Sequence, residues 1–282
     1  MLRASLTLFV ALLAGCASQQ PSSKPGTANV TTETVSTRDL VDVLKILSEP
    51  YKGRTLLVLD IDDTLLTSPT FFGSDAWYAW QDSLSPQSPG YVPCRFDVIG
   101  MNYETGTQVP TQEDAVAAIN AIPLDKIILT ARSPMYRGGT IRELKHAGYT
   151  LPAPLQPALA GAIYEYQPDP KVPGVTVSYH QGVFMVAGQN KGALLVDLLK
   201  HLQVSYDRVM LVDDGAKNID AMRDAMATAG IAYRGVQYTR IDKNMTAQRV
   251  QEGIAGWQTW QQLLSATYPQ RLERMKAGQC AY

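Results

Sequence analysis

The sequence has almost no excess of charge: 25 Lys and Arg stand against 26 Asp and Glu, a formal net charge of −1. A protein that grips nucleic acid through a bulk positive field needs clustered Lys and Arg, so no nucleic-acid polymer is expected as a partner. The chain interior also lacks any stretch approaching the ~20 apolar residues that a membrane-spanning helix needs. No internal repeat is visible, which sets aside solenoids and propellers. Cysteine is scarce, with only Cys16, Cys94 and Cys280. What is present is ordinary for a folded chain: 45% apolar and 18% charged residues over 282 positions. That balance excludes a mostly disordered protein and suits one large domain or a core carrying an inserted module.

The first residues read as an export signal. Arg3 supplies one positive charge, Leu6 to Leu13 is a short apolar run, and Leu13-Ala14-Gly15-Cys16 closes it. The run is too short to span a bilayer and ends on small residues. That ending resembles the lipobox of bacterial lipoproteins, which implies a signal peptide over 1–15 and lipid attachment at Cys16. Ala17 follows, and the resemblance then favours an outer-membrane lipoprotein facing the periplasm, with the membrane as a partner through the lipid. Ala17 to Thr32 is rich in Ser, Thr, Gln, Pro and Gly, so 16–35 reads as a flexible tether. With Cys16 acylated, Cys94 and Cys280 either pair in an oxidising compartment or stand as two free thiols.

Beyond the tether, 36–282 reads as one domain. Ser36 to Ser48 carries Leu40, Val43, Leu44 and Leu47 at helical spacing and stops at Glu49-Pro50. Thr55 to Leu59 is wholly apolar apart from its Thr, the pattern of a strand buried on both faces. The alternation then continues: a helix over Thr111 to Ile122, a strand over Lys126 to Leu129 and a helix over Ser133 to His146. A strand over Gly182 to Val186 precedes an Asn190-capped helix through Leu202. A strand over Arg208 to Val212, a helix over Ala216 to Ala229 and a strand over Tyr233 to Tyr238 complete it. Strands alternating with helices predict an α/β fold, a Rossmann-like parallel sheet flanked by helices. Two segments break the rhythm. Residues 68–110 are aromatic and rich in Pro and Gly, and 152–180 hold six prolines and three tyrosines. Loops of that length suggest caps inserted over the carboxyl edge of the sheet, where open α/β sheets bind ligands; decorative surface loops are the alternative.

The sharpest feature is Leu56-Leu57-Val58-Leu59-Asp60-Ile61-Asp62-Asp63-Thr64. A buried strand delivers two carboxylates two residues apart at its carboxyl end. Such a pair is costly unless a cation or a shared proton offsets it, and Mg2+ takes hard oxygen ligands of this kind. A calcium loop beginning at Asp60 would need Gly at its sixth position and Glu at its twelfth. Those places hold Leu65 and Phe71, so that reading fails. A second acidic pair, Asp213-Asp214, follows the apolar run Val209 to Val212. Between the two lie Thr130-Ala131-Arg132, after a strand, and Lys191, at the first turn of a helix.

In this order and at these element ends, the residues resemble the four motifs of the haloacid dehalogenase (HAD) superfamily of phosphohydrolases. Motif one is Asp60-Ile61-Asp62-Asp63-Thr64, followed by Thr130, Lys191 and the pair Asp213-Asp214; the resemblance covers roughly Leu56 to Thr239. It implies a phosphomonoester hydrolase working through an aspartyl-phosphate. Asp60 would be the nucleophile, and Asp62 the group that protonates the leaving oxygen and later deprotonates water. Thr130 would hydrogen-bond a phosphoryl oxygen, and Lys191 would offset the charge on Asp60 and the phosphoryl group. Mg2+ would be held by Asp60, the backbone carbonyl of Asp62 and the fourth motif. There the chain departs from the usual Gly-Asp: Asp214 falls on the ligand position and Asn218 on the later acid, so both Asp213 and Asp214 are kept as candidates. Lys217 is a rival for the lysine role, and Arg132 offers either a phosphate contact or a salt bridge. The lipobox, motif one and the aromatic first insert are similar to secreted bacterial acid phosphatases of this type and to an uncharacterised lipoprotein branch. The expected partner is a small phosphorylated substrate. A HAD-fold binding or assembly lipoprotein without turnover, and a phosphotransferase, are the alternatives.

Overall fold

The computed structural model describes residues 31–106, 108–169, 171 and 174–281. The signal segment, Cys16 and tether residues 16–30 lie outside the described residues. In chain order the elements are strand β1 (Thr32–Thr37), helix α1 (Asp42–Leu47), β2 (Thr55–Leu59), β3 (Leu66–Thr67), α2 (Asp75–Asp82), α3 (Arg95–Thr105) and β4 (Val109–Pro110). Then follow α4 (Val116–Ala121), β5 (Asp125–Thr130), α5 (Arg137–His146), β6 (Tyr164–Tyr166), β7 (Val177–His180), β8 (Val183–Met185) and α6 (Lys191–His201). The chain continues through β9 (Arg208–Asp213), α7 (Ala216–Ala229), β10 (Ala232–Tyr238), α8 (Ala247–Thr267) and α9 (Pro269–Lys276). Eight strands form one sheet in the order β1-β10-β9-β2-β5-β8-β7-β6, and β3 pairs with β4 in a separate two-stranded ladder. From β1 to β8 every neighbouring pair is parallel; β7 and β6 are added antiparallel.

Alternate residues of the buried strands feed two cores on opposite faces of the sheet, as the period of two requires. Leu57 and Leu59 of β2 join Ile128, Met210, Val212 and Val236 on one face. Leu56 and Val58 join Ile127, Leu129, Val209 and Leu211 on the other, under α6 and α7. The chain leaves the central strand β2 toward β5 on one side and β9 on the other, the switch point where an open α/β sheet offers a crevice at its carboxyl edge.

Local chemistry sets most boundaries. The Asn190 side chain accepts the Ala193 N–H at 2.9 Å and opens α6. Gly230 closes α7 in the left-handed region at φ 73°. Three expectations change. The helix expected over Ser36 to Ser48 is only α1, because Thr32–Thr37 instead adds a parallel edge strand to β10, and the tether therefore ends before residue 32. The helix expected over Thr111 to Ile122 starts at Val116, after a 3-10 turn over Glu113–Ala115. Within 152–180 the described residues supply β6 and β7, which extend the sheet sideways.

The first insert packs against one face of the sheet. It folds into α2 and α3, and Phe71, Phe72, Trp77 and Trp80 pack into the core on that face with Trp257 of α8. A Cβ on Gly253 would come within 2.7 Å of the Trp80 ring, so glycine there lets α8 lie directly on the insert. Cys94, at the start of α3, is disulfide-bonded to Cys280 with their Cα atoms 5.3 Å apart. Arg271 of α9 also pairs with the buried Asp97 of α3. The bond therefore pins the insert to the C-terminal helices. Opening it by Cys280→Ser removes a crosslink spanning 186 positions, and loop-closure entropy sets an upper bound of ~5 kcal/mol on the loss. Denaturant midpoints of the two proteins measure it, and an unchanged midpoint would show that the bond holds nothing.

Candidate active site

Three neighbouring strands bring the predicted residues together. Asp60 follows β2, and its N–H donates to the Val212 carbonyl at 3.0 Å, so the β2–β9 ladder runs to the site itself. Asp213 ends β9 and Thr130 ends β5. The chain turns sharply after Asp60. Asp63 sits at φ 56°, a conformation that Asp tolerates better than most residues, and its N–H donates to the Leu66 carbonyl at 2.7 Å. The buried Thr64 closes the turn: its Oγ1 accepts the Asp214 N–H at 3.0 Å and joins the first motif to the fourth.

Each of three cations bridges two or three carboxylates. Lys191, 2% exposed at the first turn of α6, places Nζ 2.6 Å from Asp60 Oδ1 and 2.7 Å from Asp213 Oδ2. Arg132 donates through Nε and Nη2 to both oxygens of Asp62, at 2.8–3.2 Å, and through Nη1 to Glu143 Oε2 at 2.9 Å. Its guanidinium lies 3.7 Å from the centre of the Tyr103 ring. Lys243, on the segment after β10, reaches Asp214 at 2.5 Å, Asp75 of α2 at 2.6 Å and Asp63 at 3.1 Å. Seven carboxyl groups thus face three cations, leaving four negative charges unbalanced when all are ionised.

The electrostatics follow from burial. Removal from water, with Asp213 alongside, pushes the Asp60 carboxyl well above the usual carboxylate range against the pull of Lys191. Burial raises Asp214 to about 6 although Lys243 opposes the shift, and raises Glu143 to about 7 against Arg132. Burial disfavours the Lys191 ammonium, yet Asp213 and Asp60 hold its pKa above the usual lysine range.

One oxygen from each of Asp60, Asp213 and Asp214 lies within 4.8 Å of the others. Hard carboxylate oxygens in such number, with their charge unbalanced, fit a divalent cation of the Mg2+ type. Asp213 is the least available of the three. Its Oδ1 accepts from Gly215 N–H and Asn218 Nδ2, both at 2.9 Å, and its Oδ2 from Lys191. Asp60 and Asp214 carry fewer hydrogen bonds, each meeting one ammonium group, Lys191 and Lys243 respectively, and are the two better placed to ligate. The Asp62 carboxylate lies outside this group and belongs to Arg132. Thr130 is buried beside the site, where its Oγ1 accepts the Arg132 N–H at 3.1 Å. Lys217 is exposed, which leaves the lysine position to Lys191.

A cavity of about 520 Å³ is lined by Asp62, Asp63, Asp75 and Arg132 and by aromatic residues that include Tyr78, Phe96 and Tyr103 of the first insert; Asp60, Thr130, Lys191, Asp213 and Asp214 do not line it. None of the described residues of 152–180 lines it. Sequence reasoning missed Lys243, Asp75 and Glu143, none of which stands in a motif; Glu143 reads as a surface acid of α5 and is 1% exposed. No helix among the described residues is long and apolar enough to cross a membrane. Compared with known families, the chain matches the one described as "Protein of unknown function (DUF2608)" over residues 35–270. No curated protein matches it.

Proposed function

We propose that this chain, a member of the DUF2608 family, is a Mg2+-dependent phosphomonoester hydrolase of the HAD type, acting through an aspartyl-phosphate. The observation that carries the reading is Lys191 buried between Asp60 and Asp213, with Asp214 alongside, at the carboxyl ends of adjacent strands. Asp60 is the nucleophile. Lys191 offsets the charge that gathers on Asp60 and the incoming phosphoryl oxygens, and Thr130 lies beside it as a hydrogen-bonding group. Asp60 and Asp214 are the carboxylates that would hold Mg2+, which supplies charge neutralisation of the phosphoryl oxygens. Asp62, with both oxygens on Arg132, stands as a carboxylate able to take a proton from attacking water.

The test is hydrolysis of phenyl phosphate with Mg2+ and with chelator, for wild type and Asp62→Asn. Turnover should require the metal, and the variant should lose ~10²–10⁴-fold in kcat, the usual contribution of a general acid–base group. A wild type with no turnover toward any monoester would leave the non-catalytic binding protein as the reading. Transfer of phosphate to added alcohols in preference to water would make it a phosphotransferase.

We also propose that the protein is a lipoprotein acylated at Cys16 and held at the outer membrane facing the periplasm. The lipobox-like sequence supports this, and so does the Cys94–Cys280 bond, because disulfides persist in oxidising compartments. Radiolabelled palmitate should label the wild type in cells and not Cys16→Ser. Recovery of unlabelled wild type in the soluble periplasmic fraction would count against the anchor.

A further inference from the structure

Resting on the hydrolase reading above, we propose that Glu143 is a positioning residue for the reaction: through Arg132 it fixes the Asp62 carboxylate where that group must act. Asp62 lies on the cavity wall, and its side chain is 26% exposed. A carboxylate so placed can turn among rotamers, whereas a proton-transferring group must stay within hydrogen-bond reach of the oxygen it serves. Arg132 holds it, with Nε and Nη2 on both Asp62 oxygens at 2.8–3.2 Å. An arginine side chain is itself long and flexible, so it orients a partner only as firmly as its own far side is held. Helix α5 holds that side. Nη1 donates to Glu143 Oε2 at 2.9 Å and to Thr140 Oγ1 at 3.1 Å. Each nitrogen of the guanidinium thus has a partner, and its planar fork converts two anchors on α5 into an orientation for Asp62.

The box around Arg132 is assembled from separate elements. Thr140 and Glu143 stand three positions apart on α5, so both meet the guanidinium from one face of the helix. Tyr103 of α3, in the first insert, lays its ring over the same group at 3.7 Å. The two helices come this close because Gly139 has no side chain: a Cβ there would sit 2.8 Å from the Tyr103 carbonyl oxygen. The box is also sealed. The Arg132 and Glu143 side chains are 1% and 0% exposed, and Thr140 is fully buried. Burying an ion pair adds little stability over an apolar pair of the same volume, because desolvation offsets the attraction. Nor does Arg132 need a second carboxylate for charge, since Asp62 alone balances it. What the Glu143 contact adds is placement, carried from α5 through Arg132 to a carboxylate on the cavity wall.

Two conservative variants separate placement from charge. Glu143→Gln keeps the length of the side chain and an oxygen able to accept from Nη1, and loses the charge. Glu143→Asp keeps the charge and draws the oxygen back by one methylene. With phenyl phosphate and saturating Mg2+, Glu143→Asp should lose ~10²-fold in kcat at unchanged KM, the cost of a catalytic group displaced by about 1 Å. Glu143→Gln should keep most of the wild-type kcat. Thr140→Val removes only the second anchor and should fall between the two. Calorimetric titration should give one Mg2+ affinity for all four proteins, because none of the variants touches Asp60 or Asp214. Denaturant midpoints show that each protein is folded at the assay temperature; should Glu143→Asp fail to fold, Thr140→Val carries the test by the same split between kcat and KM. Wild-type kcat in the folded Asp and Val variants would make the Arg132–Glu143 pair a brace of the fold and overturn the positioning role. Equal losses in Glu143→Gln and Glu143→Asp, or a loss traced to weaker Mg2+ binding, would overturn it as well and leave the hydrolase standing. No turnover of any monoester by the wild type would overturn the hydrolase reading and this inference with it.

Discussion

Asp60→Asn should abolish turnover, by ~10⁴-fold or more, while leaving the protein folded. On the proposed reading, the substitution keeps the shape of the side chain and removes the charge of the attacking oxygen, one of the carboxylates that would hold Mg2+ and the bond through which phosphate would be carried. Wild-type Asp60 is 4% exposed and crowded by Asp213, so neutralising it removes a repulsion as well as one Lys191 contact. Thermal midpoints of the metal-free proteins should therefore lie close together. The same variant should bind Mg2+ more weakly in calorimetric titration. Activity within tenfold of wild type would dismiss covalent catalysis at Asp60. A collapsed midpoint would instead assign the residue to the fold.

The part of this site that is legible in the sequence is the part built from local runs. β2 shows itself because five consecutive residues are buried, and the acids that follow it stand where an apolar run stops. α6 shows itself through its Asn190 cap, which puts Lys191 on the first turn. Elements without apolar content are silent. β1 has one apolar residue in six and lies at the sheet edge, so its pairing with β10 comes from backbone hydrogen bonding that no side-chain pattern announces. The β6–β7 extension lies in a proline-rich stretch for which a cap was as natural a reading. Glu143 and Lys243 are silent for another reason. Their partners lie 11 to 180 positions away, and only the closed fold decides whether such a charge meets an acid or water. The aromatics of 68–110 divide in the same way. Phe71 and Phe72 build the packing under α8 and Phe96 opens to the cavity, although the three look alike in sequence.

Lys191→Met should carry a large cost to stability, and the comparison with Lys243 shows why. Both ammonium groups bridge carboxylates at short distances, but their surroundings differ. The Lys243 side chain is 36% exposed and its partner Asp75 43%, so part of this cluster keeps water when the lysine is lost. Lys191 and its partners Asp60 and Asp213 are all nearly sealed, so its removal leaves two carboxylates facing each other without a cation. Breaking a buried pair from one side costs about 3–5 kcal/mol, because the remaining charge is neither solvated nor paired. Lys191→Met should lose that much in denaturant unfolding without metal. Added Mg2+ should restore part of it, since a bound cation supplies some of the missing charge. Turnover should not return with the stability, because the cation that offsets the Asp60 and phosphoryl charge is gone. Adding Asp213→Asn should recover folding further, with a coupling energy well above the additive expectation. A Lys191→Met protein as stable as wild type would mean that the two carboxylates already share a proton and need no lysine. A protein that recovered turnover with Mg2+ alone would show that Lys191 serves the fold and not the reaction.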